Sequence, residues 1–288
     1  MPSTIALKRK ITSIKGTRQI TKAMQLVSAS KLRRAQEQAT RSRVYRDVAY
    51  DLLQRLNVIS EVERQPLFKR RTVKNRLYVI ITSNTGLAGA YNANILKQLT
   101  VGFKEDQASG AKSHVIAIGS KGAQFVRRVQ SVELTAAYPP FGDTPTANDV
   151  RPILNTVMDK FKSGDVDEVR VLFTAFKSTV SQEAKSLQLL PAPKIEGESS
   201  NIPITTFEPD IETVIDQVTI RLVEAQVWQG LLESLASEHA MRMLATKNAT
   251  ENANDLIDDY TLELNNARQA DITQQLAEIS GGAEALNG

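Results

Sequence analysis

Residues 3–57 read STIALKRKITSIKGTRQITKAMQLVSASKLRRAQEQATRSRVYRDVAYDLLQRLN, a stretch with no proline and a single glycine, Gly16. As one uninterrupted helix it would rise about 80 Å, far more than an ordinary globular helix. Its apolar residues recur at helical intervals, Leu7, Ile11 and Ile14 and then Ile20, Met24 and Val27, while Lys and Arg take most of the remaining surface. A second such segment opens at Pro209, a residue suited to a first helical turn, and meets only Gly230 before a stop expected at Gly281-Gly282. Within it Ile211, Ile215, Val218, Leu222 and Ala225 are spaced alternately by four and three, and Ile257, Tyr260, Leu264 and Ala267 resume the pattern of a coiled-coil seam. Each short series alone would suit a bundle core, but breaker-free length at both chain ends favours a coiled coil. Pairing the two helices antiparallel lets everything between them form a domain at one end of a rod.

Between the two helical segments the period changes. Residues 76–82 (RLYVIIT), 114–119 (HVIAIG) and 168–176 (EVRVLFTAF) are short β-branched runs, with helical stretches at 92–104, 122–129 and 149–162 between them and a further strand expected at 186–190. Alternating strand and helix predicts a small α/β, Rossmann-like domain. The fold class is therefore α/β plus a long antiparallel two-helix coiled coil made by the N- and C-terminal helices. Its parts are an N-terminal helix over 1–60, a central domain over 75–195 and a C-terminal helix over 209–283. The proline-rich stretch 191–209 is the return connection.

With 41% hydrophobic and 24% charged residues the chain has a globular composition, and with no cysteine it has neither disulfides nor thiolate metal sites. Met1-Pro2-Ser3-Thr4 leads directly into Lys8-Arg9-Lys10 without an apolar signal core, and the most apolar run, 77–81, is too short to span a bilayer. A cytosolic chain is expected, attached to any membrane through partners. The net charge of +4 hides an asymmetry: up to Arg46 about a dozen Lys and Arg face the single acid Glu37, whereas from Asn248 onward about eight acids face the single base Arg268. A basic helix suggests nucleic acid or anionic lipid, or more plainly a partner-facing surface.

Chemistry is hard to assemble from this sequence. The turns at 83–89 (SNTGLAG) and 119–122 (GSKG) follow strands and could offer backbone N–H groups, but neither is a P-loop nor G-x-G-x-x-G, and a structural turn is the better reading. His114 and His239 stand alone, Ser28 to Lys31 matches S-x-x-K without its companion motifs, and Asp258 and Asp259 are adjacent and so diverge on a helix. No catalytic residue, metal site or cofactor is expected.

Specific likenesses appear at the ends. Ile14 to Met24 (IKGTRQITKAM) with Ser30 to Gln36 (SKLRRAQ), then SNTGLAGAYN at 83–92, then Ser237-Glu238, Arg242-Met243, Ala249-Thr250, Asn252-Ala253, NARQADIT at 266–273, Glu278-Ile279 and Gly282-Ala283, resemble in order the signatures of the gamma subunit of F-type ATP synthases. The resemblance implies a non-catalytic central rotor shaft. It would turn inside a ring of three alpha and three beta subunits, one copy per complex, with its α/β domain meeting the epsilon subunit and the membrane c-ring. Ion flow would then be coupled to ATP chemistry on the beta subunits. By matched position Arg268 and Gln269 would hydrogen-bond a catch loop of beta, and Lys22 and Met24 would lie near an acidic lever segment of beta. By charge and location Arg9, Lys10, Arg33 and Arg34 would add a charged collar.

Departures from the family pattern are informative too. Asn84, Thr85 and Ala88 stand where the family usually has an acid, a base and a cysteine, Thr246 replaces a usual Met and Gln275 a usual Glu. The absence of cysteine removes the thiol regulation of chloroplast relatives, and the expected setting is the cytoplasmic face of a bacterial inner membrane. The rival reading is a basic coiled-coil protein that binds nucleic acid, with Tyr45 and Tyr50 as its nearest aromatics.

Overall fold

The computed structural model describes residues 3–56, 65–139, 141–142, 145–193 and 210–287, with side chains placed throughout these except at 45, 46, 49, 50, 52–56, 211 and 284–287. Most of the 191–209 connection, including Pro209, residues 57–60 and the side chains of Tyr45 and Tyr50, lies outside what is described. Two long helices bracket a sheet. They are α1 (Thr4–Leu56) and α5 (Ile211–Asn287), and between them come β1 (Asn75–Ile81), α2 (Tyr91–Ser109), β2 (Lys112–Ile118), α3 (Ser120–Val126), β3 (Val132–Tyr138), α4 (Ala147–Ser163), β4 (Glu168–Phe176) and β5 (Gln182–Leu190). The chain divides into two compact units, one formed by Met1–Val27 with Met243–Gly288 and the other by Ser28–Arg242.

In the first unit the ends of α1 and α5 run antiparallel. Lys10 sits over the Tyr260 ring at 5.1 Å, Arg18 donates to Asn254 Oδ1 at 3.2 Å, and Thr250 donates to Thr21 Oγ1 at 2.8 Å, so numbers rise along one helix as they fall along the other. The buried seam is Leu7, Ile11 and Thr21 against Thr250, Ala253 and Ile257, with Ile14, Tyr260, Leu264 and Ala267 half-buried. Ile20 and Val27 do not join it, being 63% and 54% exposed. The three-four spacing set by Leu7, Ile11 and Ile14 continues through Arg18 and Thr21, which places Ile20 on the opposite side of the helix. Among the described residues the contacts just named between the basic and the acidic end are polar or cation–π. The expected stop at Gly281-Gly282 does not occur, since α5 runs on to Asn287. Two glycines cost a helix about 1 kcal/mol each, which disfavours it without breaking it.

In the second unit the sheet has the order β3-β2-β1-β4-β5. The first four strands are parallel and β5 is antiparallel to β4. Leu77, Val79 and Ile81 of β1 face a core shared with α4 and with Ile215, Leu222, Val223, Val227 and Leu231 of α5. Tyr78 and Ile80 face the opposite core with Leu99, Ala123 and Val126 from α2 and α3. Burial on both faces explains why β1 reads as a continuous apolar run. Strand β3 has no counterpart in the expectation from sequence, and β5 begins four residues before the expected 186–190. Both are edge strands, β3 with only half-buried or exposed side chains and β5 with buried ones only at Leu189 and Leu190, so neither β3 nor the start of β5 carries a strong apolar signal.

Local punctuation fixes these elements. Thr146 and Asp149 form a reciprocal capping box at the start of α4, and Asp210 caps α5 by accepting the Thr213 N–H at 2.8 Å. At the beginnings of the parallel strands Arg76 reaches both the buried Asp106 and Glu168, and Asp106 also accepts from Tyr78 Oη at 2.9 Å and Ser113 Oγ at 2.6 Å. Burial pushes the Tyr78 hydroxyl up to about 12, so it stays a donor to Asp106 at any ordinary pH.

Candidate functional site

Two regions bear on function, one at each unit. In the second unit the carboxyl ends of β1 and β2 carry the two glycine-bearing turns. Gly119 has φ +92°, and a Cβ there would lie 2.1 Å from Thr82 O, so the turn into α3 is possible only for glycine. The donors at that turn are already occupied. Ser120 N–H donates to Asn84 Oδ1 at 2.9 Å, Lys121 N–H to Ser83 O at 3.2 Å and Gly122 N–H to Thr82 Oγ1 at 2.9 Å. A phosphate would have to displace all three, which is why these turns are structural and not a nucleotide cradle.

The 83–89 loop is in turn clamped by α5. Arg242 donates through Nε to Gly86 O at 3.4 Å, through Nη2 to Thr85 O at 3.4 Å and Thr85 Oγ1 at 3.1 Å, and through Nη1 to Glu238 Oε1 at 2.7 Å. Burial raises the Glu238 carboxyl above its ordinary value, and the cations Arg242 and Lys31 offset this only in part. The clamp holds Leu87 at φ +60° with its side chain 60% exposed. That conformation is uncommon for leucine and persists only because the surrounding hydrogen bonds determine it. Asn84 and Thr85, where the family usually shows charges, therefore bind neutral backbone and Arg242 rather than forming a salt bridge.

In the first unit the residues matched to partner contacts lie mostly at the surface. Arg9, Lys10 and Lys22 are exposed and Met24 is half-buried on α1, while Arg268 and Gln269 are exposed neighbours on α5. Lys22 shares an open groove with Arg18, Gln19, Leu26 and Asn254. Arg33 and Arg34, also exposed, belong to the second unit, so the four collar residues fall into two separate pairs. Beyond Ala267 every described side chain up to Ala283 is exposed, including Ile272, Leu276 and Ile279, which repeat at intervals of four and three. This exposed stripe could be read from spacing alone, and it stands one or two positions out of phase with the seam of Ile257, Tyr260, Leu264 and Ala267, whose continuation would fall on Asp271, Gln274 and Glu278.

Among the described residues no group of three His, Asp or Glu is placed to hold a metal, and no helix is long and apolar enough to cross a membrane. A Rossmann-like sheet in one unit, and the ends of two long helices paired along an antiparallel seam in the other, define the class: an α/β domain with a terminal two-helix coiled coil. Residues 3–286 match the family model described as ATP synthase. The chain is 39% identical to the ATP synthase gamma chain of Heliobacterium modesticaldum, over 99% of this chain and all of that one, and 38% identical to that of Stenotrophomonas maltophilia over the same shares. It belongs to the ATP synthase gamma chain family. Its fold is similar to a chain in the cryo-EM structure of Euglena gracilis mitochondrial ATP synthase (OSCP/F1/c-ring, rotational state 3), with a TM-score of 0.70 at 19% identity, covering 98% of this chain and 94% of the other. A chain of the Tetrahymena thermophila mitochondrial ATP synthase central stalk and c-ring matches with a TM-score of 0.62 at 23% identity, covering 80% and 99%.

Proposed function

We infer that this chain is the central rotor shaft of an F-type ATP synthase, turning inside a ring of three alpha and three beta subunits, one copy per complex. It couples ion flow through the membrane sector to ATP synthesis or hydrolysis on the beta subunits and is not itself a catalyst. Membership of the gamma chain family supports the reading, and the bare helical tip is the structural observation that carries it. Ile272, Leu276 and Ile279 are 45%, 60% and 69% exposed on a helix with no described residue covering them, as suits a surface that an external sleeve surrounds.

On this reading the chain works in three parts, helices over 1–60 and 209–283 and an α/β domain over 75–195. Arg268 and Gln269, adjacent and exposed, engage a beta catch loop, and Lys22 with Met24 meets an acidic segment of beta. Arg9 with Lys10 and Arg33 with Arg34 act as two basic patches. The α/β domain meets epsilon and the c-ring, and the complex sits on the cytoplasmic face of a bacterial inner membrane. A shaft must make and break contacts repeatedly, so its contacts should be individually weak. The nucleic-acid alternative gains nothing from the family match, and its two tyrosines have no described side chains.

The test is co-expression with the alpha and beta subunits of the same organism, followed by size exclusion and an ATPase assay. One stable peak containing this chain, with turnover that neither it nor the separated subunits show, is the expected result. Elution of the chain alone, while the same alpha and beta assemble with an established gamma chain, would sink the reading.

A further inference from the structure

The segment that leads into the sheet of the second unit lies across the amino ends of its strands. Leu67 O accepts the Ala192 N–H at 2.8 Å beyond the end of β5, Asn75 O accepts the Asp167 N–H at 2.9 Å just before β4, and Lys74 O accepts the Lys112 N–H at 2.8 Å at the start of β2. Lys69, Arg70, Lys74 and Lys112 are exposed along this edge, and Arg127 and Arg128, exposed at the end of α3, extend it towards β3. Among the described residues none of these six side chains is hydrogen-bonded or ion-paired. Most acids of the same edge are engaged. Asp167 Oδ2 accepts the Lys74 and Asn75 N–H groups at 2.8 and 3.0 Å, Asp106 and Glu168 pair with Arg76, Glu105 lies 3.9 Å from Arg170 and Glu133 lies 3.2 Å from His114. Where α4 ends beside the start of α5, Lys160 and Lys162 offset Asp159 and Asp216, and Arg71 answers the carboxyl end of α4 by donating to Phe161 O at 3.3 Å. Against the six cations there remain two exposed carboxylates, Asp165 and, in the first turn of α5, Glu212.

We propose that this amino edge docks on an anionic phospholipid surface, its lysines and arginines lying among the headgroups. The proposal rests on the shaft reading, which brings the α/β domain to the membrane. Diffuse negative charge is what the edge fits. A protein interface is built round an apolar core, yet none of the exposed large apolar side chains lies in 65–75 or in the turns at 110–112, 127–131 and 164–167. Each Lys or Arg near an anionic leaflet strengthens attachment roughly fivefold, and the attraction fades within a Debye length. Headgroups exchange freely beneath such a surface, so the contact resists lifting of the shaft without resisting its rotation.

The test uses the complex of this chain with alpha and beta, in which, on the shaft reading, the ring surrounds the basic end of α1. It is sedimented with vesicles of phosphatidylcholine alone or with roughly 30% phosphatidylglycerol. The natural complex should bind the anionic vesicles at least tenfold better than the neutral ones, and lose that advantage between about 50 and 300 mM salt. Lys69→Gln, Arg70→Gln, Lys74→Gln and Lys112→Gln together should weaken binding at least tenfold. Lys97→Gln, Arg151→Gln, Lys177→Gln and Lys185→Gln together remove as many exposed cations away from this edge, and should weaken it less than about threefold. Equal binding to the two vesicles overturns the proposal, as does unchanged binding by the edge variant or an equal loss in both variants. So does an edge variant that binds vesicles normally but no longer binds the detergent-purified c-ring, which would make the partner an acidic protein surface. Assembly is scored before vesicles are added, so failure of the shaft reading is seen separately. The isolated full chain then replaces the complex, with the α1 cations common to all three chains and the same ranking expected.

Discussion

Helix α5 does opposite things in its two stretches. From Leu222 to Ala225, and again from Gly230 to Ser234, every residue is buried, and the helix is core for the sheet of the second unit. From Arg268 to Ala283 every described side chain is exposed, although the composition there still includes Ile272, Leu276 and Ile279. Secondary structure is identical in the two stretches, so what differs is whether the apolar face has already found its partner within the chain. A core face must satisfy its neighbours permanently, whereas a working face must remain available to other subunits.

The sharpest test of permanence lies in the second unit. Asp106→Ala would leave Arg76 with one carboxylate fewer and strip Tyr78 and Ser113 of their buried acceptor. Breaking such a buried pair by removing one partner costs about 3–5 kcal/mol. The single tryptophan, Trp228, packs against this unit's core and so reports its unfolding, and its urea transition should move by that amount at unchanged slope. A shift no larger than that of an ordinary surface change would show the network to be dispensable.

Next in size is a matched pair of truncations on α5. Leu222, 1% exposed, should cost about 2–5 kcal/mol on conversion to alanine, whereas Ile279→Ala should change the isolated chain by less than about 0.5 kcal/mol. Assembly should reverse the ranking among chains that still fold, with Ile279→Ala lowering the yield of the complex with alpha and beta. Equal stability losses for the two would erase the distinction between core and working face.

How much of this was readable in advance follows from the same distinction. Strands β1, β2 and β4 are buried on both faces, and their apolar runs announced them within a residue or two at most ends. Edge strand β3, VELTAAY, pairs on one side only and carries three alanine or threonine residues in its middle, so its pattern is too weak to separate from loop. In the coiled coil the apolar rule misled at Ile20, because the seam there is made by Thr21 and Thr250 sharing a hydrogen bond that no hydrophobic period reveals. The terminal motifs pointed to the family, but the Arg242 clamp on Thr85 and Gly86 was hidden, since it joins positions more than 150 residues apart through backbone carbonyls.

A smaller effect concerns pH. Because burial raises the folded-state value of Glu238 above its ordinary 4.5, the folded chain holds that proton more tightly than the unfolded chain. This contribution to stability is therefore present at low pH and is lost as pH rises through the raised folded value. Relative to Glu238→Gln, the natural chain should lose stability as pH climbs from below 4.5 towards neutrality. A difference of the opposite slope would mean that Arg242 dominates over burial. Either way the result locates this residue between the permanent and the adjustable parts of α5.

The smallest expected effect is at the surface of α1. Arg33 donates to Glu37 at 3.2 Å across one helical turn, with the two side chains 84% and 56% exposed. Such pairs contribute at most about 0.5 kcal/mol and fade with salt. Glu37→Gln should therefore leave the urea midpoint of the isolated chain almost unmoved at moderate ionic strength, with any loss visible only at low salt. In the assembled complex the same change removes the only acid between Met1 and Arg46 and makes this face more basic. If Arg33 and Arg34 meet acidic surface on the surrounding subunits, the variant should bind the alpha-beta ring at least as well as the natural chain at low salt and converge with it as salt is added. A salt-independent difference would place the effect in packing rather than charge, and the basic pair would then belong with the permanent surfaces of the molecule instead of the adjustable ones.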